Sequence, residues 1–359
     1  MNRIEIHASS DYEVLTGTGL ISSCGKLVKD ACEGAEKCLV VSDTNVAPLY
    51  FNKVKSSLER EGFSVYRYFF EAGESSKNIG SITGMWGAMA DAGFTRTDIV
   101  VTLGGGVACD MGGFAAATFL RGIRFVQIPT SLLAMADASV GGKTGIDLPE
   151  GKNLAGAFHQ PSLVIEDIDC LKTLPAELFT EGMAEIIKMA LIMDKDLFER
   201  LEEISASGKA ADLRNETATV LGIVCRSVAD KAQVVMEDEL DNGRRQILNF
   251  GHTVGHVIEK ESNFTLSHGI CVAKGMGIIT DSCLAAGYTD RETADRIKKL
   301  IADFGLPVTD AITPKDAVKG AMNDKKKRGS HISVILVNKI GEAVIRKMTP
   351  EEFIRFLSK

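Results

Sequence analysis

The stretch Ile99-Val-Val-Thr-Leu-Gly-Gly-Gly-Val-Ala-Cys-Asp110 decides the fold class. Five apolar or β-branched residues run into three glycines, and an apolar segment, Val107 to Ala117, follows at once. A short apolar run bounded by glycine reads as a strand buried on both faces, and the segment behind it can start a helix. Glycines at such a strand-to-helix turn let backbone N–H groups approach an anion such as a pyrophosphate at the helix N-terminus. An ordinary tight turn has the same composition, so on this stretch alone both readings stand.

Outward from it the pattern repeats. Cys38–Ser42, Phe63–Phe70, Phe125–Ile128 and Leu163–Ile165 read as further strands, with helical-period stretches at Val46–Glu61 and Ile79–Ala92 between them. Strands alternating with helices predict a parallel sheet covered on both faces. After Leu174-Pro175 the texture changes to long amphipathic segments: Gly182–Leu201, Ala210–Val235, Thr253–Lys260 and Arg291–Phe304. Thr180, with Glu181 in the following turn, reads as a helix start. A late strand pair, Ile332–Val337 and Ala343–Arg346, closes the chain. The expectation is an α/β protein with an N-terminal parallel-sheet domain over residues 1–175 and a mainly α-helical domain over 176–359.

Composition narrows the function classes. With 359 residues, 45% hydrophobic and 25% charged, the chain has a core and is not a disordered or low-complexity sequence. A net charge of −7 argues against general affinity for nucleic acid, so an anionic ligand must be met by a local cluster of cations. No run of about 18 apolar residues occurs, and the opening Met-Asn-Arg-Ile-Glu-Ile does not read as a secretory signal, so the expectation is no membrane span and a cytoplasmic protein. The eight cysteines form no Cys-x-x-Cys pair and read as small buried hydrophobes. Two glycine patterns are decoys. Gly17-Thr-Gly19 lacks the third glycine of the dinucleotide fingerprint, and Ser139-Val-Gly-Gly-Lys143-Thr144 has Asp137 where a P-loop needs glycine.

Of the six histidines, His252, His256 and His268 fall within 17 residues. In Asn249-Phe-Gly-His252-Thr-Val-Gly-His256, a 3.6-residue period sets Asn249, His252 and His256 on one helical face. Two imidazoles one turn apart, a third further on and a carboxylate suit zinc, cobalt or a similar divalent ion. Glu185 and Lys188 stand at i and i+3, which is also the spacing of a simple surface ion pair.

Taken together, these segments resemble 3-dehydroquinate synthase over nearly the whole chain, which implies a Rossmann-like N-terminal α/β domain and a helical C-terminal one. The resemblance is carried by Gly104-Gly-Gly-Val-Ala-Cys-Asp110-Met-Gly-Gly-Phe, Arg121-Gly-Ile, Pro129-Thr-Ser-Leu-Leu-Ala, Asp137-Ala-Ser-Val-Gly-Gly-Lys143-Thr, Gly151-Lys152-Asn153, Gly182-Met-Ala-Glu185-Ile-Ile-Lys188, Asn249-Phe-Gly-His252-Thr-Val-Gly-His256 and Ser267-His268-Gly. It implies a divalent metal, zinc or cobalt, on Glu185, His252 and His268, with His256 handling a proton or positioning water. It implies NAD along Asp43 and Asn45, Glu74 and Lys77, the Gly105, Gly106, Val107 and Asp110 turn, Thr130 and Ser131, Lys143 and Lys152, and Cys170, Leu171, Lys172 and Thr173. The implied substrate is an anionic keto-sugar acid phosphate, 3-deoxy-D-arabino-heptulosonate 7-phosphate. Lys143, Lys152, Lys188, Lys231, Arg245, Lys325 and Lys326 are the implied cations of its site, with Asp137, Asn153 and Asn249 beside them. Arg121 is implied to reach the neighbouring subunit's site, hence a homodimer.

The implied reaction oxidises C5 transiently, which acidifies the C6 proton so that phosphate leaves C7 by β-elimination, then returns the hydride, opens the ring and closes it by aldol addition. Some positions depart from the family pattern. Glu177-Leu178 replaces the usual Arg-Glu, Ser131 stands for threonine, Cys109 for glycine, and the loop before Gly329 is one residue shorter. The alternatives are a related sugar-phosphate cyclase, a metal-dependent polyol dehydrogenase that would accumulate NADH, and an inactive homologue acting as an interaction protein.

Overall fold

The computed structural model describes residues 1–324 and 331–359. Lys325 and Lys326, implied above as cations of the site, lie outside the described residues. The chain divides into two compact units, Met1–Leu174 with Val220–Leu240, and Pro175–Thr219 with Asp241–Lys359. This division places residues 220–240 with the first unit, where the sequence expectation has one boundary between 175 and 176. Val220, Val224, Val228, Ala232 and Val235 form a buried stripe at helical spacing, and the helix they occupy also carries Lys231, whose ammonium pairs with Asp137 of the first unit.

In the first unit the elements run β1 (Asn2–Ile6), β2 (Tyr12–Gly17), α1 (Cys24–Ala31), β3 (Lys37–Asp43), α2 (Ala47–Arg60), β4 (Ser64–Phe70), α3 (Ile79–Asp91), β5 (Ile99–Gly104), α4 (Gly106–Thr118), β6 (Arg124–Pro129), β7 (Lys143–Leu148), β8 (Gly151–Phe158) and β9 (Leu163–Asp167). Seven strands form one sheet in the order β1-β2-β9-β6-β5-β3-β4, parallel except for the β1–β2 pair. β5 is buried at every position, as its continuous apolar run requires. Its core is Leu39, Val41, Val100, Met85, Met111 and Phe125 with their neighbours. From β3 the chain goes outward to β4 at the edge, then crosses back to β5 and on to β6. The order therefore reverses between β3 and β5. In an open α/β sheet that reversal opens a crevice at the carboxyl ends of the strands, where ligands bind. Asp43 and Gly104 stand there, each one residue past the register pair Ser42 and Leu103.

The second unit contains α5 (Ala176–Met193), α6 (Lys195–Ala206), the start of α7 (Thr217–Glu237), α8 (His252–Glu261), α9 (His268–Ala286), α10 (Arg291–Asp303), α11 (Pro314–Asp324), the hairpin β10 (Ile332–Lys339) and β11 (Glu342–Met348), and α12 (Pro350–Leu357). α5 begins at Ala176 rather than near Thr180: Pro175, with extended ψ, stands just ahead of the first turn, and Glu177 lies in it, where a carboxylate is favoured. One expected helix over Gly182–Leu201 is two, broken where Asp194 turns to accept the Leu197 N–H at 3.0 Å. Among the described residues α9 alone is long and apolar enough to cross a membrane, but 61% of it is buried within the protein, as a core helix is.

Candidate functional site

In the first unit, the turn from β5 into α4 is the centre of the expected dinucleotide site. A Cβ on Gly104 would lie 2.8 Å from that of Ala108, so this tight entry into α4 demands glycine. At Gly105 and Gly106 the nearest atoms to an added Cβ are 3.5 Å away, an ordinary contact, and neither has a positive φ. Packing therefore does not require those two glycines. What they do is put no side chain of their own over the first N–H groups of α4, which favours the anion-binding reading of the turn. Thr130 donates its N–H to the Gly104 carbonyl at 2.9 Å, and the Ser131 hydroxyl accepts the Ala134 N–H. Asp43 fixes the loop after β3 by accepting the N–H groups of Asn45 and Val46 at 2.8 and 2.9 Å.

Beside the turn, Lys77 is 4% exposed and joins residues far apart in sequence. Its Nζ lies 2.6 Å from Asp110 Oδ2, 2.5 Å from Asn153 Oδ1 and 3.9 Å from Glu74 Oε1, while Lys152 Nζ stands 3.7 Å from the same Glu74 oxygen. Burial works against the Lys77 charge, but Asp110 and Glu74 outweigh it and push its pKa up. Burial raises the carboxyls of Asp110 and Glu74 despite the lysine. Asn153 adopts φ +55°, and its N–H donates to Asp147 Oδ1 at 2.8 Å. Asp137 sits in a π-helical turn, Ala134–Ala138, and takes Lys231 Nζ at 2.5 Å on Oδ1 as well as on its own carbonyl.

The remaining expected residues of this unit are placed differently. Cys170 and Leu171 are 2% and 1% exposed, so their side chains belong to the core and only their backbone can face a ligand. Lys172 is exposed and pairs with Asp169 at 2.6 Å. Thr173 meets the hydroxyl of Tyr50, a residue that sequence reasoning missed. Lys143 is exposed at the start of β7. Arg121 is exposed on left-handed backbone, φ 71°, next to Leu120 at φ 50°.

In the second unit, α5, α8 and α9 bring Glu185, His252 and His268 together, with ligand atoms all within 4.8 Å of one another. Both imidazole Nε2 atoms stand 3.5 Å from Glu185 Oε1. The other oxygen, Oε2, takes the ammonium of Lys188, and both side chains of that pair are buried. Burial opposes the Glu185 charge, yet Lys188 and the two imidazoles hold its carboxyl well below the usual range. Burial and the Lys188 cation push His252 down, which keeps it neutral, while Glu185 and Glu259 carry His268 up to about 10 against its burial. The ring of His256 stands 5.3 and 5.9 Å from those of His252 and His268. Arg245 is 2% exposed in the turn Arg244–Asn249. Asn249 ends that turn and is not on the His252 face of α8. Gly251, at φ +78°, stops the helical period that would have placed it there.

This donor set fits a divalent ion. Glu185 Oε1 is buried and accepts no hydrogen bond of normal geometry, although two imidazole nitrogens face it. One carboxylate oxygen and two imidazole nitrogens are what zinc or cobalt takes while leaving a position open. The helices approach closely enough because α9 has no side chain at Gly275, where a Cβ would fall 2.0 Å from the Gly251 carbonyl.

A crevice with a glycine turn at the sheet's reversal, and a helical unit with a carboxylate–diimidazole cluster, define a class of two-unit enzyme that works with a dinucleotide and a divalent metal. Within that class the structure of ValA, the 2-epi-5-epi-valiolone synthase of Streptomyces hygroscopicus with NAD+ and Zn2+ bound, superposes with a TM-score of 0.88 at 28% identity, covering 99% of this chain and 98% of that one. Residues 67–181 match the model of the 3-dehydroquinate synthase N-terminal domain and residues 182–327 that of the C-terminal domain. Curated 3-dehydroquinate synthases of Clostridium acetobutylicum and Lactococcus lactis are 41% and 42% identical over 97% of this chain, and cover 96% and 97% of their own lengths. The chain belongs to the 3-dehydroquinate synthase family.

Proposed function

We propose that this chain is a 3-dehydroquinate synthase, which converts 3-deoxy-D-arabino-heptulosonate 7-phosphate to 3-dehydroquinate and phosphate with NAD and a zinc or cobalt ion. The observation that carries the reading on this chain is the buried carboxylate of Glu185 facing His252 and His268. When bound, the ion would polarise the substrate's hydroxyls, and NAD would take one hydride and give it back.

The chain's own residues do the rest. Glu185, His252 and His268 hold the ion, and Lys188 holds Glu185 by its second oxygen. The N–H groups after Gly104 receive the pyrophosphate, and Asp43, Glu74, Lys77, Asp110, Thr130, Ser131 and the backbone of Cys170–Thr173 line the dinucleotide. Lys152, Asn153 and the Lys325-Lys326 pair take the substrate phosphate, where charge grows as it leaves and fixed cations stabilise it most. Lys231 and Arg245 take the carboxylate end, with Lys143, Asp137 and Asn249 orienting the hydroxyls. His256 handles a proton beside the two ligand imidazoles. Arg121, presented on strained backbone, is assigned to the site of a second copy in a homodimer of cytoplasmic location.

The test is stoichiometric. With the heptulosonate phosphate, phosphate is expected in many-fold excess over total NAD, with no steady rise in NADH absorbance. One NADH accumulating per turnover would replace this reading with a polyol dehydrogenase.

A further inference from the structure

The geometry points to Glu259 as a positioning residue of the metal centre: its carboxylate holds the Nδ1 side of His268, so that Nε2 is the nitrogen turned towards Glu185. The inference rests on the reading of Glu185, His252 and His268 as ligands. Glu259 is 5% exposed, and a carboxylate so deeply buried is rare without a specific partner. Its Oε2 lies 3.4 Å from His268 Nδ1. An ionised carboxylate only accepts, so this contact keeps a proton on Nδ1 and makes Nε2 the nitrogen that an ion would take, in place of any proton there.

His252 arrives at the same arrangement by other means. Its Nδ1 lies 3.1 Å from the Phe250 carbonyl and its Nε2 3.5 Å from Glu185 Oε1. The two imidazoles thus belong to different helices, each has an acceptor at Nδ1, and each turns Nε2 to the same oxygen. The acceptor differs: a carboxylate oxygen for His268, a backbone carbonyl for His252. Glu259 and His252 share α8 and stand seven residues, two helical turns, apart, so one face of one helix supplies both a ligand and the support of the other ligand.

Glu259→Gln keeps the shape and an acceptor oxygen but removes the charge. Its affinity for zinc or cobalt, measured by competition with a chelator, is expected to fall about 10- to 100-fold. The absorption spectrum of the cobalt-loaded protein should shift as well. Glu259→Asp, shortened by one methylene, provides a second variant with the same expected direction should the glutamine variant fold poorly. Wild-type affinity and an unchanged cobalt spectrum in a folded variant would overturn the inference, as would a lower Tm of the metal-free protein with affinity intact, which a merely structural contact predicts. His252→Ala serves as the control on the underlying reading. If it binds metal like the wild type, the ligand assignment itself fails; if it loses metal while the Glu259 variants keep it, only the positioning role fails.

Discussion

Glu166→Gln is expected to stabilise the protein at neutral and alkaline pH and to do almost nothing below about pH 4. Glu166 lies in β9 with no solvent exposure, at the register position opposite Thr16. The Thr16 hydroxyl bonds Oε2 at 2.7 Å, and Oε1 has no hydrogen-bond partner among the described residues. Burial, only partly offset by that hydroxyl, pushes the pKa from its ordinary 4.5 up to about 8. The folded chain therefore keeps a proton that the unfolded chain releases above pH 4.5. Stability from this group is complete below the unfolded pKa and drains away as pH climbs to the folded one. At about 1.4 kcal/mol per unit the whole shift is worth about 5 kcal/mol, an upper bound because the core relaxes and admits water around a new charge. Glutamine is neutral at every pH and removes the dependence. Thermal unfolding of both proteins at about pH 4, 7 and 8.5 should give Tm curves that nearly coincide at the acid end and separate progressively, the variant above. Parallel curves, or a variant less stable at pH 8.5, would refute the claim that Glu166 is buried as a neutral acid.

Glu185→Ala and His252→Ala should each lose the bound metal by more than the roughly 100-fold that loss of a supporting residue costs, since three ligands leave no redundancy. Elemental analysis decides it, and stoichiometric metal in both purified variants would sink the assignment. For the dimer, Arg121→Ala mixed with His252→Ala under subunit exchange should recover up to about a quarter of wild-type activity, because half of randomly formed dimers are hybrids with one intact site. No recovery at all would mean Arg121 does not act in a neighbouring subunit.

The parallel sheet was legible because strands buried on both faces are continuous apolar runs: Cys38–Ser42 and Ile99–Leu103 are buried along their length. The β7–β8 hairpin was not, since Gly151–Phe158 has no fully buried position and is rich in glycine and alanine. α9 escaped for the opposite reason. It is covered nearly all round and shows no polar stripe from which to count a period. His252 and His268 were legible as a cluster, whereas Glu185 needed the family resemblance, because a Glu four residues into an apolar stretch looks like any i, i+3 ion pair. Extrapolating the helix back to Asn249 failed at Gly251, whose left-handed backbone no count of apolar residues reveals.

Glu259 marks the boundary between what could and could not be read. Beside it on α8 stands Glu261, the same residue type two positions on, and in the folded chain one is buried against an imidazole and the other exposed. Nothing in composition separates them, but angle does. At about 100° per residue Glu259 returns to within about 20° of His252, while Glu261 falls on the opposite face. Once His252 is taken as a ligand, the sequence already points Glu259 at the metal centre. What it cannot supply is the object Glu259 meets there, because His268 opens a different helix and reaches Glu259 only through the packing of α9 on α8. That approach depends on Gly275, 24 residues from the Gly251 carbonyl its missing side chain would strike. Periodicity thus assigns a residue to a face, and tertiary packing alone decides which partner that face finds.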